Sequence, residues 1–151
     1  MKTRKSWQQK MDNPDLPKLV DIPPKMQKRL GKGTMLIPHP REVDAFIRTI
    51  PEGAVITPAK IRAALAEQHG ADVTCPLTTG IFVWIAAEAA DENARAGEVD
   101  ITPYWRVVKD DGSLNPKFPG GVERQARMLR EEGHHITPGK NKRPPRLEAP
   151  V

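Results

Sequence analysis

Two helix starts, Thr57-Pro58 and Cys75-Pro76, constrain this chain most, because only one short helix and a turn fit between them. Thr57 offers a hydroxyl N-cap, and Pro58 sits in the first turn, where a missing N–H leaves nothing unpaired. Ile61, Ala64 and Leu65 then fall on one helical face, and Gly70 suits the C-terminal stop. After a turn over 71–74, Pro76 opens a longer helix that runs to about Ala94. Leu77, Ile81, Trp84 and Ile85 are its predicted apolar positions, and Glu88, Asp91 and Glu92 its solvated far end. Two helices joined by a short turn, the second longer, match a helix-turn-helix arrangement. Helix pairs of this shape also occur in proteins that never touch DNA.

The flanking segments extend this unit. Pro38-His39-Pro40 reads as a turn that opens a helix at Pro40, with Val43, Phe46, Ile47 and Ile50 on one apolar face. Pro51-Glu52-Gly53 ends that helix, and 54–56 is a short extended piece. Downstream, Gly97 opens a connection. Tyr104 to Val108 is rich in β-favouring residues, Asp111-Gly112 is a turn signal, and Leu114 begins a return strand, so a hairpin or wing is expected. Pro116, Pro119 and Gly120-Gly121 form the next loop. A last helix runs from Val122 to about Glu132, with Val122, Ala126 and Leu129 in register, and stops at Gly133. The expected fold is mainly α with a small β-hairpin: a winged helix-turn-helix domain over 35–134.

The ends differ in character. Sixteen prolines and an apolar fraction of 38% in 151 residues imply a modest core with extended ends. Residues 1–34 read as a basic, proline-containing arm, with room for a short helix over 24–30, and 135–151 as a basic, proline-rich tail. The net charge of +5 is uneven: +6 over 1–32, −4 over 33–133 and +3 over 134–151. Basic ends beside a compact domain suit phosphate contact by counterion release, although such tails also serve solubility alone. No apolar run approaches the roughly 20 residues of a membrane span, and the basic, polar stretch from Met1 to Met11 has no signal-peptide core behind it. A cytoplasmic, monomeric protein is expected. One cysteine forms no internal disulfide, and with four widely spaced histidines it makes a poor zinc site. No metal or other cofactor is expected. No nucleophile–base arrangement, phosphate-binding glycine loop or paired-carboxylate signature stands out.

The run Thr102-Pro103-Tyr104-Trp105-Arg106-Val107-Val108 resembles the active-site segment of the methylated-DNA–protein cysteine alkyltransferases, where Pro-Cys-His-Arg precedes two apolar residues. Asp111-Gly112-Ser113-Leu114 is similar to that family's hairpin turn. Gly120-Gly121-Val122-Glu123-Arg124-Gln125 is similar to its last helix start, and Leu129 through Glu132-Gly133 to its closing motif. Upstream, Ile50-Pro51-Glu52-Gly53-Ala54-Val55-Ile56-Thr57 resembles the stretch before its first DNA-proximal helix. The resemblance spans about 40–134. It implies a winged helix-turn-helix domain that binds duplex DNA, flips an alkylated base into a pocket, and passes the alkyl group to a thiolate.

The departures point away from that chemistry. Tyr104 stands at the acceptor cysteine, and a phenol with a pKa near ~10 is a poor nucleophile at neutral pH. Trp105 stands at the histidine base, and an indole takes no proton in this role. Glu132 matches the acid that orients the histidine, and the Trp105 N–H is a candidate donor to it. No catalytic residue is therefore assigned. The chain resembles the alkyltransferase-like proteins, which lack the acceptor and flag damage for other repair proteins. The family's Thr-Tyr-Gly reads Thr57-Pro58-Ala59 here, and its arginine finger is aligned with Thr79. Pro103, Tyr104 and Trp105 are the pocket candidates. Thr57, Thr78, Thr79, Arg106 and Lys109 are the DNA-binding candidates, and Thr74, Lys117 and Arg124 are further possible phosphate contacts. Two other readings stay open: a diverged alkyltransferase that uses Cys75, and a protein-interaction module that kept the fold.

Overall fold

The computed structural model describes residues 5–148, which fold mainly as helices with two small sheets. Three helices form as their end signals dictate. Helix α3, Pro40–Arg48, is opened by His39, whose ring nitrogen accepts from the Arg41 N–H, while Glu42 reaches back to the His39 N–H. It buries Val43 and Ile47 and leans Phe46 on the same core, which Ile50 joins just past the helix end. Helix α4, Pro58–His69, is capped by the Thr57 hydroxyl, buries Ile61 and Leu65, and ends at Gly70 with φ +66°, a left-handed geometry that favours glycine. Helix α6, Gly121–Glu131, buries Ala126 and Leu129.

Helix α5, Pro76–Arg95, is the central element and packs mainly on α3. Its buried face differs from the expected one. Thr79, Val83, Ala86, Ala87 and Ala90 point inward, while Leu77, Ile81 and Trp84 are exposed. Small alanines let the α3 backbone approach closely, and that approach turns the larger residues outward. Of the four expected apolar positions only Ile85 is buried, and it lies in a satellite cluster with Met11 and Ala89.

The proline-rich start is folded onto this core rather than standing off as an arm. Strand β1, Lys18–Asp21, pairs antiparallel with β2, Thr34–Ile37, which pairs parallel with β3, Val73–Thr74. Ile22, Met35 and Cys75 pack together beneath this sheet. Helix α1, Trp7–Lys10, lies on α5, with the Trp7 ring edge-on to Trp84 at 4.9 Å. Helix α2, Gln27–Leu30, follows a 3-10 turn at Pro24–Met26, within the span where a short helix was expected. Pro14, Pro17, Pro23 and Pro24 flank β1 without interrupting it, so they delimit structure instead of preventing it.

The expected hairpin is also rebuilt. Tyr104–Arg106 is a 3-10 turn, and Val107 pairs in parallel with Ile56. Residues 109–113 close a tight turn, with the Lys109 N–H on the Ser113 carbonyl at 2.9 Å. The partner of the outgoing chain is the tail: Ser113 bridges Arg146, and the Leu114 N–H donates to the Pro145 carbonyl at 2.9 Å. Strands β4, Ile136–Thr137, and β5, Arg146–Leu147, pair antiparallel, and Leu147 is buried among Val108, Leu114, Ala126 and Leu129. Residues 1–4 and 149–151 of the expected arm and tail lie outside the described residues. Among the described residues no helix is long and apolar enough to cross a membrane.

A docked tail has a measurable consequence. Leu147→Ala is expected to lower stability by about 2 kcal/mol in urea unfolding. An unchanged midpoint would show that the tail contributes nothing to the core.

Candidate functional site

The turn after Pro103 is held by one carboxylate. Glu132 caps the C-terminal end of α6, and its side chain is 7% exposed. It accepts from the Trp105 indole N–H at 2.8 Å, from Arg106 Nε at 3.0 and 3.1 Å, from Arg106 Nη2 at 2.9 Å, and from the Gly53 N–H at 3.2 Å. Arg106 Nη1 donates onward to the Ile50 carbonyl at 2.7 Å. Burial pushes the Glu132 carboxyl up. The Arg106, Trp105 and Gly53 donors outweigh burial and hold it below its usual value. Gln125 braces the same turn, donating to the Trp105 and Val107 carbonyls and accepting from the Asn115 N–H.

Tyr104 points the other way, into the core. Its ring is 1% exposed and lies edge-on to Trp105 and to Phe118, each at 5.4 Å. Its hydroxyl is buried and has no partner among the described residues, and burial pushes the phenol pKa above its ordinary value. A neutral, enclosed phenol is neither accessible nor nucleophilic. The pocket expected from the sequence is therefore corrected at this residue. Pro103 and Trp105 line a cavity of about 290 Å³ with Arg48, Asp100 and Arg106, and Tyr104 does not line it.

A second, smaller cleft of about 50 Å³ lies where three segments meet: Pro58 at the start of α4, Gly80 and Val83 of α5, and Val107–Lys109, closed by Asn115 and Phe118. Backbone pairing builds it. The Ile56 N–H donates to the Arg106 carbonyl at 2.8 Å and the Val108 N–H to the Ile56 carbonyl at 3.0 Å, which sets the start of α4 beside the chain leaving the turn. From Pro76 to Ala87 α5 carries no charged residue, while Lys60, Lys109 and Lys117 are exposed on the segments around the cleft. The acidic groups nearby are engaged. Asp110 accepts from the Ala59 N–H at 3.0 Å and pairs with Arg62 at 3.8 Å, and Asp111 accepts from the Ser113 hydroxyl at 2.6 Å. A Cβ built on Gly80 meets nothing within 4 Å. The fold itself gives no reason for glycine there, although glycine costs a helix about 1 kcal/mol relative to alanine.

The remaining sequence candidates fall on both sides of this surface. Lys109 is exposed at the cleft. The Thr57 hydroxyl accepts from the Lys60 N–H as a cap, and the Thr78 hydroxyl is buried without a partner. Thr79 is fully buried and donates to the Cys75 carbonyl at 2.7 Å, so it cannot occupy the finger position expected from the resemblance. Thr74 is buried and donates to the Arg62 carbonyl. Arg106 is tied to Glu132, and Arg124 pairs with the buried Asp91 at 2.9 Å, which removes both as free phosphate contacts. Cys75 is 5% exposed beneath Ile22 and Met35, which shields it from a macromolecular substrate. Among the described residues no cluster of three His, Cys, Asp or Glu side chains could hold a metal. The sequence reading missed Leu77 and Ile81 as surface residues. The alanine spacing at 86, 87 and 90 was the available signal for which face turns inward.

No protein-family model matches the chain, and no curated protein matches it. A solved structure similar to it is the crystal structure of S. pombe Atl1 in complex with damaged DNA containing O6-carboxymethylguanine. The two chains share 21% identity at a TM-score of 0.47, over 72% of this chain and 87% of that one.

Three measurements test the site's construction. Removing the acceptor of a buried pair strands its cation, so Glu132→Ala is expected to cost about 3 kcal/mol. Because the folded-state carboxyl lies below its usual 4.5, the stability that comes from this shift is present above that pH and is lost as pH falls through the folded value. Acid unfolding of Glu132→Gln should therefore be shallower than that of the wild type. Tyr104→Phe deletes a hydroxyl that bonds to nothing, and is expected to leave the thermal midpoint unchanged or raise stability by up to about 1 kcal/mol. A clear loss would reveal a partner for that hydroxyl.

Proposed function

We propose that this chain is a non-enzymatic DNA-binding protein of alkyltransferase-like type, which holds duplex DNA at alkylated guanine and marks it for repair proteins. The α4–α5 pair serves as the helix-turn-helix, and the 109–113 turn, backed by the tail, serves as its wing. The observation that carries this reading is the cleft between Pro58, Gly80 and Lys109, an uncharged helix face edged by lysines, with Asp110 paired to Arg62 and Asp111 hydrogen-bonded to Ser113. A surface of this kind suits a polyanion, because Lys60, Arg62, Lys109 and Lys117 outnumber Asp110 and Asp111 on the segments around it, and lysines bound to phosphates release counterions. The absence of alkyl transfer is supported by the buried Tyr104 phenol, by an indole in place of a base, and by the shielding of Cys75.

The test is binding to plain duplex and to duplex containing an O6-alkylguanine, over a range of salt. Binding is expected to weaken steeply with salt and to favour the alkylated duplex. Lys109→Ala is expected to weaken both and to reduce the salt slope by about 1. Intact mass should stay unchanged after incubation with methylated DNA. A methyl gain on the protein, or no duplex binding at low salt, would overturn the reading.

A further inference from the structure

We infer that Leu77 and Ile81 form an apolar wedge on α5 that enters between stacked base pairs and parts one base step; this rests on the duplex-binding reading above. Leu77 is 70% exposed in the first turn of α5, and Ile81 is 42% exposed one turn later. With Gly80 between them they occupy one helix face at spacings of three and four residues. Neither side chain can hydrogen-bond a base edge, so neither reads sequence directly. Large aliphatic side chains gain on DNA by inserting into the stack and unstacking it. Gly80 fits the same occupant. Open space lies where its Cβ would be, and a missing side chain beside two projecting ones lets another backbone come close. Trp84, the next exposed apolar residue, is engaged edge-on by Trp7 and ends the wedge.

Charge selects nucleic acid over a second copy of this chain. The wedge belongs to a helix half without charge, and Lys60, Lys109 and Lys117 are exposed on the segments bordering the neighbouring cleft. Two copies meeting through this face would bring these lysines towards one another, whereas a duplex would neutralise them.

The experiment uses the full chain with a short duplex carrying 2-aminopurine at its centre, read by fluorescence for unstacking and by anisotropy for binding. Wild type is expected to bind and to raise the fluorescence. Leu77→Ala, at a position too exposed to disturb folding, is expected to bind about tenfold more weakly and to lose most of the rise. Leu77→Met should restore both. Gly80→Ala should raise the thermal midpoint and weaken binding. If Leu77→Ala binds and unstacks like the wild type, the wedge is overturned and the duplex-binding reading stands. If wild type shows no duplex binding at low salt, both fall. If wild type self-associates and Leu77→Ala abolishes that while leaving DNA binding intact, a second copy is the occupant and the wedge is overturned.

Discussion

The Glu132 carboxylate fixes the relation between the end of α6, the turn after Pro103 and the loop after α3. It does so by accepting from Arg106, Trp105 and Gly53 at once. A buried ion pair of this kind is a weak source of net stability, since the desolvation of both charges offsets much of their attraction. Its effect is geometric. With Trp105 and Arg106 drawn towards Glu132, the intervening backbone closes as a 3-10 turn and Tyr104 is left facing the core. The same turn delivers Val107 to its pairing with Ile56, and that pairing sets the first turn of α4 beside α5. Gln125 repeats the device from within α6, holding the carbonyls of residues 105 and 107 with one amide. The cleft is thus a consequence of polar clamps behind it, Gln125 holding Val107 and Asn115 of its lining directly and Glu132 acting through the turn.

The side chains at this turn offer neither a nucleophile nor a base. Trp105 keeps the hydrogen bond to the acid but offers no basic nitrogen. Tyr104 fills the space between α5 and Phe118 with an aromatic ring, and its edge-on contacts make it a core residue. The acid, the turn and the bracing glutamine are architecture around a position that is hydrophobic packing.

Much of the helical frame was legible in the sequence because its signals are local. Thr57-Pro58, Pro40 and Gly70 act through the backbone of their own turn, and the structure places helix ends at those residues. The failures share one physical origin. Which face of α5 turns inward is decided by how closely α3 approaches, and small residues win that contest although large ones carry more hydrophobicity. Lys18-Leu19-Val20-Asp21 has one half-buried position, so no alternation marked it as a strand; its register comes from β2. The 104–108 segment has β-favouring residues, but its sheet-like partner is Ile56, and the tail pairs instead with the chain after the turn, at Gly112–Leu114. For the site, Lys109 was legible as an exposed cation. Thr79 was misplaced because a motif alignment carries no information about the helix phase that packing selects.

The division along α5 follows from the same phase. Its second half is integrated into the protein: Asp91 is buried between Arg95 and Arg124, Glu92 accepts from the Trp7 and Gln8 N–H groups, and Met11 covers Ile85 and Ala89. Its first half has an inner face just as buried, through Thr79 and Val83, and an outer face of Leu77, Gly80 and Ile81 that no element among the described residues covers. Exposed aliphatic side chains scattered singly need no explanation, but here two stand on one face beside a glycine that the fold does not require. Alanine packing against α3 fixes the rotation of the helix. No repacking of the core can hide these residues without exposing Val83 and Ala87, so the surface beside the cleft stays apolar for as long as α3 and α5 remain in contact.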